Sequence, residues 1–380
     1  MRVRAAVLRE MGQPTPYAKS RPLEISELEL APPGPAEMLV RVRAAGLCHS
    51  DLSVIDGSRP RVMPMALGHE AAGEVVALGP GATGFSPGDR VVLAFVPACG
   101  GCGPCRDGRA ALCEPAAAAN AAGTLLRGER RWSENATVPS AVHHHLGVSA
   151  FADHVVVSTT SAVRVPDDLP FEIAALFGCA VLTGVGAVVN AARVSPGDAV
   201  AVFGLGGVGL AALLGAVLAG AERIVAIDIV AAKLKLAREL GATDTVLGGS
   251  SQDPVDEIRE ATHGGIDHAI ETVGSATVLA QAYAATRRGG TTTTVGLPHH
   301  DQLLSIPAVS LVAEERTLRG SYLGSCVPTR DIPRFIALHA AGRLPVDRLL
   351  THTLPLEDIN AGFDRLRAGE AVRQAVVMPA

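Results

Sequence analysis

Residues 198–228 read DAVAVFGLGGVGLAALLGAVLAGAERIVAID. The apolar run AVAVF enters Gly204-Leu205-Gly206-Gly207-Val208-Gly209, an apolar helix-like stretch follows, and a second run, IVAID, ends on Asp228. The pattern reads as strand, glycine turn, helix, strand. Gly204 permits the tight turn, Gly206 lets the backbone approach a pyrophosphate, and Gly209 lets helix and strand pack closely. The N–H groups and dipole at the start of the helix favour an anion there. Asp228 stands about twenty residues beyond the first glycine, where a carboxylate accepts from a ribose 2′-hydroxyl and repels a 2′-phosphate. NAD is therefore favoured over NADP. A glycine turn serving packing alone is the plainer alternative, and Asp228 counts against it.

Outward from this stretch the rhythm persists. Strand-like DTVL (244–247), DHAIETV (267–273) and GTTTTVGL (290–297) alternate with helical segments from about Ser195. Such alternation implies a parallel sheet covered by helices. Before about Arg90 the chain instead shows short β runs broken by turn residues: LVRVRAAGL (39–47), AAGEVVALG (71–79) and SPGDRVVLA (86–94). Pro115–Gly123 is alanine-rich, a surface loop or weak helix. Strand material resumes at 152–157, and the end of the chain adds a helix at 332–341 and the strand-like VRQAVVM (372–378). The expected class is α/β plus β: a doubly wound parallel sheet domain beside a β domain. A length of 380 residues exceeds one typical core and fits two.

Composition narrows the function. Apolar residues make up 48% and charged residues 19%, which describes a globular chain with ample core. A net charge of -5 with one Trp and three Tyr argues against a nucleic-acid platform. The start, MRVRAAV, has no sustained apolar run of the secretory kind, so a reducing cytoplasm is expected. Two uncharged stretches, 173–192 and 199–221, are long enough to span a bilayer. The second contains six glycines and reads as strand, turn, helix, and neither is taken as a span.

Six of the seven cysteines fall into two sets. Cys99, Cys102, Cys105 and Cys113 form C-x2-C-x2-C-x7-C in CGGCGPCRDGRAALC (99–113). Four thiolates close a tetrahedron around Zn2+ and leave no position for substrate, which is a structural site. The spacing departs from the iron–sulfur run that closes with three residues and Cys-Pro. Cys48 and Cys179 stand apart, and with His69 they make a Cys2His set, the type that leaves a fourth zinc position open. The set lies among other polar residues, His49-Ser50-Asp51 and Glu70. Cys326 is left as a buried apolar thiol by default.

With these residues in hand, the chain resembles a zinc-dependent medium-chain alcohol dehydrogenase of the long form that includes the class III formaldehyde dehydrogenases. The matches are GLCHSD, GHEAAGEV, the CGGCGPC…C lobe, GC-x3-TG around Cys179, GLGGVG with Asp228, and GEAVRQAVV, in order from about residue 40 to 377. The resemblance implies a GroES-like catalytic domain over 1–180, with a structural zinc lobe at about 97–115. A Rossmann NAD-binding domain would follow over 181–323, and 324–380 would complete the catalytic domain.

It also implies roles. Cys48, His69 and Cys179 would hold catalytic zinc, with Glu70 beside it as a transient ligand. Asp51 would fix the tautomer of His69, and Ser50 would accept the substrate proton. Thr183 would pack on the nicotinamide, His49 and Arg373 would meet the pyrophosphate, and Lys233 would assist Asp228. Val295 and the glycine motif complete the cofactor contacts. Phe95, His145, Leu146, Leu297, Tyr322 and Arg59 would line the substrate pocket. The implied reaction is hydride transfer from an alcohol to NAD, with two zinc ions per chain and a homodimer. No membrane or nucleic-acid partner is expected.

Three positions depart from the family pattern. Ser53 stands where many alcohol dehydrogenases end the proton relay on histidine. Ala117 replaces the arginine with which class III enzymes grip a glutathione adduct, and Arg59 stands where they favour an acid. Primary alcohols, bulky or aromatic, are therefore the expected substrates. A thiol-adduct formaldehyde dehydrogenase and a catalytically silent binding relative are the alternatives. Arg59 and Arg61 suggest attraction of an anionic substrate such as a hydroxy acid, or simply a solvated loop. His143-His144-His145 reads as loop, with His145 a polar pocket wall.

Overall fold

The computed structural model describes residues 1–134, 141–249 and 253–379. The chain divides into two compact units: Met1–Cys179 with Val327–Ala337 and Leu350–Ala380, and Ala180–Cys326 with Leu338–Leu349.

The second unit is the doubly wound domain. Its sheet runs, edge to edge, Asp244–Leu247, Arg223–Asp228, Ala199–Phe203, Ile266–Glu271, Thr286–Thr294, Thr317–Gly320. Every neighbouring pair is parallel. Numbered along the chain the order is 3-2-1-4-5-6, whose reversal point lies beside the first strand, where dinucleotides bind in such sheets. The central strand Ala199–Phe203 is buried on both faces because helices cover both: Val200 and Val202 on one and Ala201 and Phe203 on the other are all buried. The helix Gly207–Ala219 follows the first strand and is closed by Gly220 in the left-handed region.

In the first unit the β runs before residue 95 form two structures. A closed barrel takes Arg2–Leu8, Leu23–Leu30, Trp132–Ser133, Ala141–His144 and Met65–Ala66. A second sheet runs Ala162–Arg164, Arg90–Leu93, Ala71–Leu78, Glu37–Gly46, Arg373–Val377, Leu350–Leu354, with His154–Ser158 also on Glu37–Gly46. The C-terminal strand Arg373–Val377 thus lies against one of the first long strands, in antiparallel register with Ala375 opposite Gly46. Both ends of the chain build this unit.

Two expectations change, and one open alternative is settled. Residues 338–349, expected in the first unit, belong to the second, where Leu344, Val346 and Leu349 are fully buried. Pro115–Gly123 resolves to the helix Glu114–Ala122, capped by Gly123 in the left-handed region. His143 and His144, read as loop, lie on the strand Ala141–His144 because Met65 and Ala66 pair with them. The uncharged stretch 173–192 breaks once, after the helix Phe171–Leu176, before the continuous helical run of Ala180–Gly186 and Ala187–Ala192. No helix of the described residues is long and apolar enough to cross a membrane.

Candidate metal centre and dinucleotide site

Strand pairing assembles the Cys48 site. Cys48 follows the strand Glu37–Gly46 and opens the helix His49–Ile55. His69 and Glu70 immediately precede Ala71–Leu78, whose Ala71 pairs with Ala45, and Gly46 donates its N–H to the Glu70 carbonyl at 2.8 Å. Cys179 comes in after the helix Phe171–Leu176. The ligand atoms of Cys48, His69 and Cys179 lie within 4.8 Å of one another, and all three residues are buried.

The surroundings suit a cation. His69 Nδ1 lies 3.1 Å from Asp51 Oδ1 in a hydrogen bond, which leaves Nε2 buried without a partner among the described residues. The hydrogen bond from Cys179 holds the Cys48 thiol well below its ordinary pKa against the cost of burial, and the charges of Arg373 and His69 add to this. Cys179 is pushed well up in return, by Cys48 first and then by burial. Burial disfavours the imidazolium of His69, but Asp51 and Cys48 outweigh it and raise the pKa. Two convergent sulfurs and an unpartnered imidazole nitrogen fit a zinc ion, with the carboxylate–histidine pair orienting the third ligand.

His69 is walled by two rings packed edge-on: Phe95 at 5.4 Å and His145 at 5.5 Å between centroids. His145 Nδ1 lies 3.0 Å from the same Asp51 oxygen that holds His69. The one carboxylate oxygen thus hydrogen-bonds His69 and lies against the ring of His145. Leu146 is also buried, at positive φ. His49 is exposed and Ser50 half-buried in the first turn of their helix. Ser53 Oγ donates to the His49 carbonyl at 2.8 Å, and Arg59 is half-buried, its N–H donating to the Ser53 carbonyl at 2.7 Å.

Arg373 and Glu70 form an ion pair with both side chains buried. Arg373 also donates to the Leu47 carbonyl at 3.1 Å. The resemblance implied a pyrophosphate contact for Arg373; here its guanidinium is turned onto Glu70 and lies close enough to Cys48 to lower that thiol's pKa. Gly46 makes room for this pair, since a Cβ there would overlap Glu70 Oε1.

The second cysteine set, Cys99, Cys102, Cys105 and Cys113, also brings its sulfurs within 4.8 Å of one another. Cys99 Sγ accepts the N–H groups of Gly101 at 3.4 Å and Cys102 at 3.3 Å, while Cys113 Sγ accepts that of Cys99 at 3.2 Å. Backbone donation from Gly101 and Cys102 brings the Cys99 thiol down to about 7. Burial drives Cys105 up to about 12, with the adjacent thiols adding to it. Four convergent thiols are the donor set that could hold a zinc ion with no position left open.

In the second unit the glycine motif has the expected geometry. Gly204 sits at φ +88°, and a Cβ on Gly209 would overlap the Gly204 carbonyl oxygen. Space beside Gly206 is open, with no atom within 4 Å of a built Cβ. Gly207 and Val208 begin the helix. Asp228 is half-buried, and its two carboxylate oxygens accept the N–H groups of Leu205 at 2.7 Å and Val230 at 2.9 Å. Lys233 is half-buried on the following helix, Ala231–Glu239. Val295 follows the strand Thr286–Thr294 and donates to the Glu271 carbonyl. Thr183 is buried, whereas Leu297 is 49% and Tyr322 36% exposed. Cys326 is fully buried, its thiol donating to the Leu182 carbonyl at 3.3 Å and accepting from Asn190 at 3.2 Å.

Sequence reading missed Asn120. It is buried on the helix Glu114–Ala122 and donates through Nδ2 to the Phe95 carbonyl at 3.1 Å. A lone amide inside the run AAAANAA was the available signal.

Residues 34–167 match the alcohol dehydrogenase GroES-like domain, and residues 207–341 match the zinc-binding dehydrogenase domain. Among solved structures, an alcohol dehydrogenase zinc-binding domain protein from Burkholderia ambifaria is 38% identical over the whole of both chains, with TM-score 0.93. The benzyl alcohol dehydrogenase of Acinetobacter calcoaceticus is 32% identical, again over all of both chains, with TM-score 0.92. A zinc-binding dehydrogenase of Sinorhizobium meliloti 1021, bound to NADP, is 25% identical over all of both chains, with TM-score 0.80.

Proposed function

The chain belongs to the zinc-dependent alcohol dehydrogenases, and on that premise we propose that it oxidises a primary alcohol to its aldehyde, and the reverse, with NAD as hydride acceptor. Bulky or aromatic alcohols are the favoured substrates. The convergence of Cys48, His69 and Cys179, with Asp51 on the far side of His69, carries the reading. Similarity to a benzyl alcohol dehydrogenase supports the aromatic preference.

Catalytic zinc, held by Cys48, His69 and Cys179, would supply a Lewis acid that favours the deprotonated alcohol, and bound NAD would take up the hydride. Asp51 keeps the proton of His69 on Nδ1, so that Nε2 faces the thiols. Ser50 Oγ accepts the proton that leaves the alcohol hydroxyl. Ser53, where a histidine would end the relay, has its own hydroxyl proton on the His49 carbonyl, so Ser50 would hand its proton on to water, with the ribose of a bound dinucleotide as the group it would also serve. Phe95, His145 and Leu146 form a buried wall that keeps water from the alcohol carbon. Glu70 and Arg373 neutralise each other beside the metal ligands, and Arg373 and the exposed His49 would be the cations offered to a dinucleotide's pyrophosphate, as the family resemblance implies.

In the second unit the open space at Gly206 and the helix N-terminus would hold the pyrophosphate, and Thr183 and Val295 would serve the nicotinamide. Asp228 with Lys233 takes the adenosine ribose and disfavours a 2′-phosphate. The four-cysteine lobe holds a second, structural zinc. The protein works in the cytoplasm as a homodimer, a proposal supported by the open edge strand Thr317–Gly320 and the exposed Leu303, Val309 and Val312 beside it in the sequence.

The test is initial reduction of NAD or NADP by zinc-loaded protein with ethanol, hexanol, benzyl alcohol, and formaldehyde with and without thiols. Turnover of benzyl alcohol or hexanol with NAD supports the reading. Activity confined to formaldehyde plus thiol overturns the substrate choice, and preference for NADP overturns the role of Asp228. Silence throughout, in protein carrying zinc, favours a binding relative.

A further inference from the structure

Three neighbouring strands of the second unit end in one row. Phe203, Glu271 and Thr294 are the last residues of Ala199–Phe203, Ile266–Glu271 and Thr286–Thr294. The register sets Phe203 beside Glu271 and Glu271 beside Thr294. The row stands at the carboxyl ends of the strands, next to the point where the strand order reverses.

Glu271 is buried, and its carboxylate works on both sides of that row. Oε1 accepts the N–H groups of Val273 and Gly274, each at 2.7 Å, while Oε2 accepts the Thr294 hydroxyl at 2.6 Å. The Glu271 carbonyl accepts the N–H of Val295 at 2.9 Å. All three side-chain donors are neutral groups, and bonds from such donors to a carboxylate are short and strong. The side chain thus ties the corner 272–274 to the end of the next strand. These pieces lie close: a Cβ on Gly296 would fall 2.1 Å from the Gly274 nitrogen, and one on Gly274 would fall 2.8 Å from the Leu297 nitrogen.

The same corner touches the glycine turn. The Thr272 hydroxyl donates to the Gly204 carbonyl at 2.9 Å, with that of Phe203 at 3.0 Å. The Val273 side chain lies over Gly204, where a Cβ would meet Val273 Cγ2 at 2.6 Å. Glu271 itself is shut in, whereas Val273 and Leu297, on the two segments it joins, are exposed.

A doubly wound sheet offers two mononucleotide halves, one on each side of its reversal point. Asp228 ends the strand on one side, and the corner 272–274 with the strand end 294–297 stands on the other. We propose that Glu271 is a positioning residue for the second mononucleotide. Its carboxylate sets 272–274 against 294–297 and so shapes the half of the site that would take the nicotinamide nucleoside. The inference rests on the dinucleotide reading above and assigns a further residue to that site.

The experiment measures binding of NAD, and of ADP, which lacks the second nucleoside, by titration calorimetry on the zinc-loaded full chain. Wild type is compared with Glu271→Ala, Thr294→Val and Thr294→Ser, and the thermal midpoint of each is recorded. Glu271→Ala should raise the Kd for NAD about 10-fold or more, the scale of one charged hydrogen bond, and leave that for ADP within about 2-fold. Thr294→Val, which cuts the tie only at the strand end, should raise the Kd for NAD by a smaller factor. Thr294→Ser keeps the hydroxyl donor and should restore it. An unchanged Kd for NAD in both Glu271→Ala and Thr294→Val overturns the inference. Should Glu271→Ala fail to fold, an unchanged value in Thr294→Val overturns it alone. Equal loss of NAD and ADP also overturns it, since the corner would then merely support the domain. Wild type that binds neither nucleotide overturns the dinucleotide reading along with it.

Discussion

Asn120 Nδ2 donates to the carbonyl oxygen of Phe95 across 3.1 Å, inside the first unit. The helix that carries Asn120 begins at Cys113, the last thiol of the four-cysteine set, and ends at Gly123, whose carbonyl accepts the N–H of His144 at 2.9 Å. One helix therefore links the lobe to Phe95 and to the strand before His145, the two rings that flank His69.

Asn120→Ala removes a hydrogen bond to a buried carbonyl. Stability should fall by about 0.5–1.5 kcal/mol, read from denaturant unfolding of the zinc-loaded protein. The turnover number should fall as well, because Phe95 loses its anchor. Unchanged stability would show that the bond does not brace the site.

Asp51→Asn keeps the shape of the side chain but removes the charge that orients His69 and contacts His145. Affinity for zinc at Cys48, His69 and Cys179 should drop about 10- to 100-fold, as when such an outer carboxylate is lost. Titration with a chelator, followed by zinc release, separates the two ions. Release indistinguishable from wild type would refute the orienting role.

Cys113→Ser breaks the lobe at a buried thiol. Zinc content measured by elemental analysis should fall from two ions to one per chain, with a lower thermal midpoint. The remaining ion should sit at Cys48, His69 and Cys179. A variant that still holds two ions would contradict the assignment of the lobe.

His144 makes stability pH-dependent. Its Nε2 accepts the N–H of Arg131 at 3.0 Å, and burial, helped by the charge of Arg131, lowers its pKa from 6.5 to about 3. Above 6.5 the imidazole is neutral in both folded and unfolded chains. Between 6.5 and 3 only the unfolded chain binds the proton, so stability falls as the pH falls through that window and levels off below it. His144→Gln keeps an acceptor that cannot titrate. Its unfolding free energy should depend less steeply on pH between 6.5 and 3 than that of wild type, measured by urea titration at several pH values. Equal slopes would place the titration elsewhere.

Both cysteine sets and the glycine motif were legible in the sequence because their chemistry is local or type-specific. Four thiols within 99–113 can converge on one ion whatever lies around them. Gly204 and Gly209 are required by the turn and by the helix packing that follow within a few residues. The alternation of apolar runs gave the parallel sheet, because strand and helix periods are properties of short segments.

Partnerships across long separations were decided only in three dimensions. Glu70 and Arg373 are 303 residues apart and meet because their strands flank Glu37–Gly46 on either side. His145 looked like one of three loop histidines, yet strand pairing takes up His143 and His144 and delivers His145 alone to Asp51. Asn120, hidden in an alanine run, found Phe95 across a loop. Residue types and their local spacing determined the two thiol-rich donor sets and the glycine turn. Sheet register, which sets the neighbours of each side chain without regard to distance along the chain, decided how those groups are oriented, neutralised and walled from water.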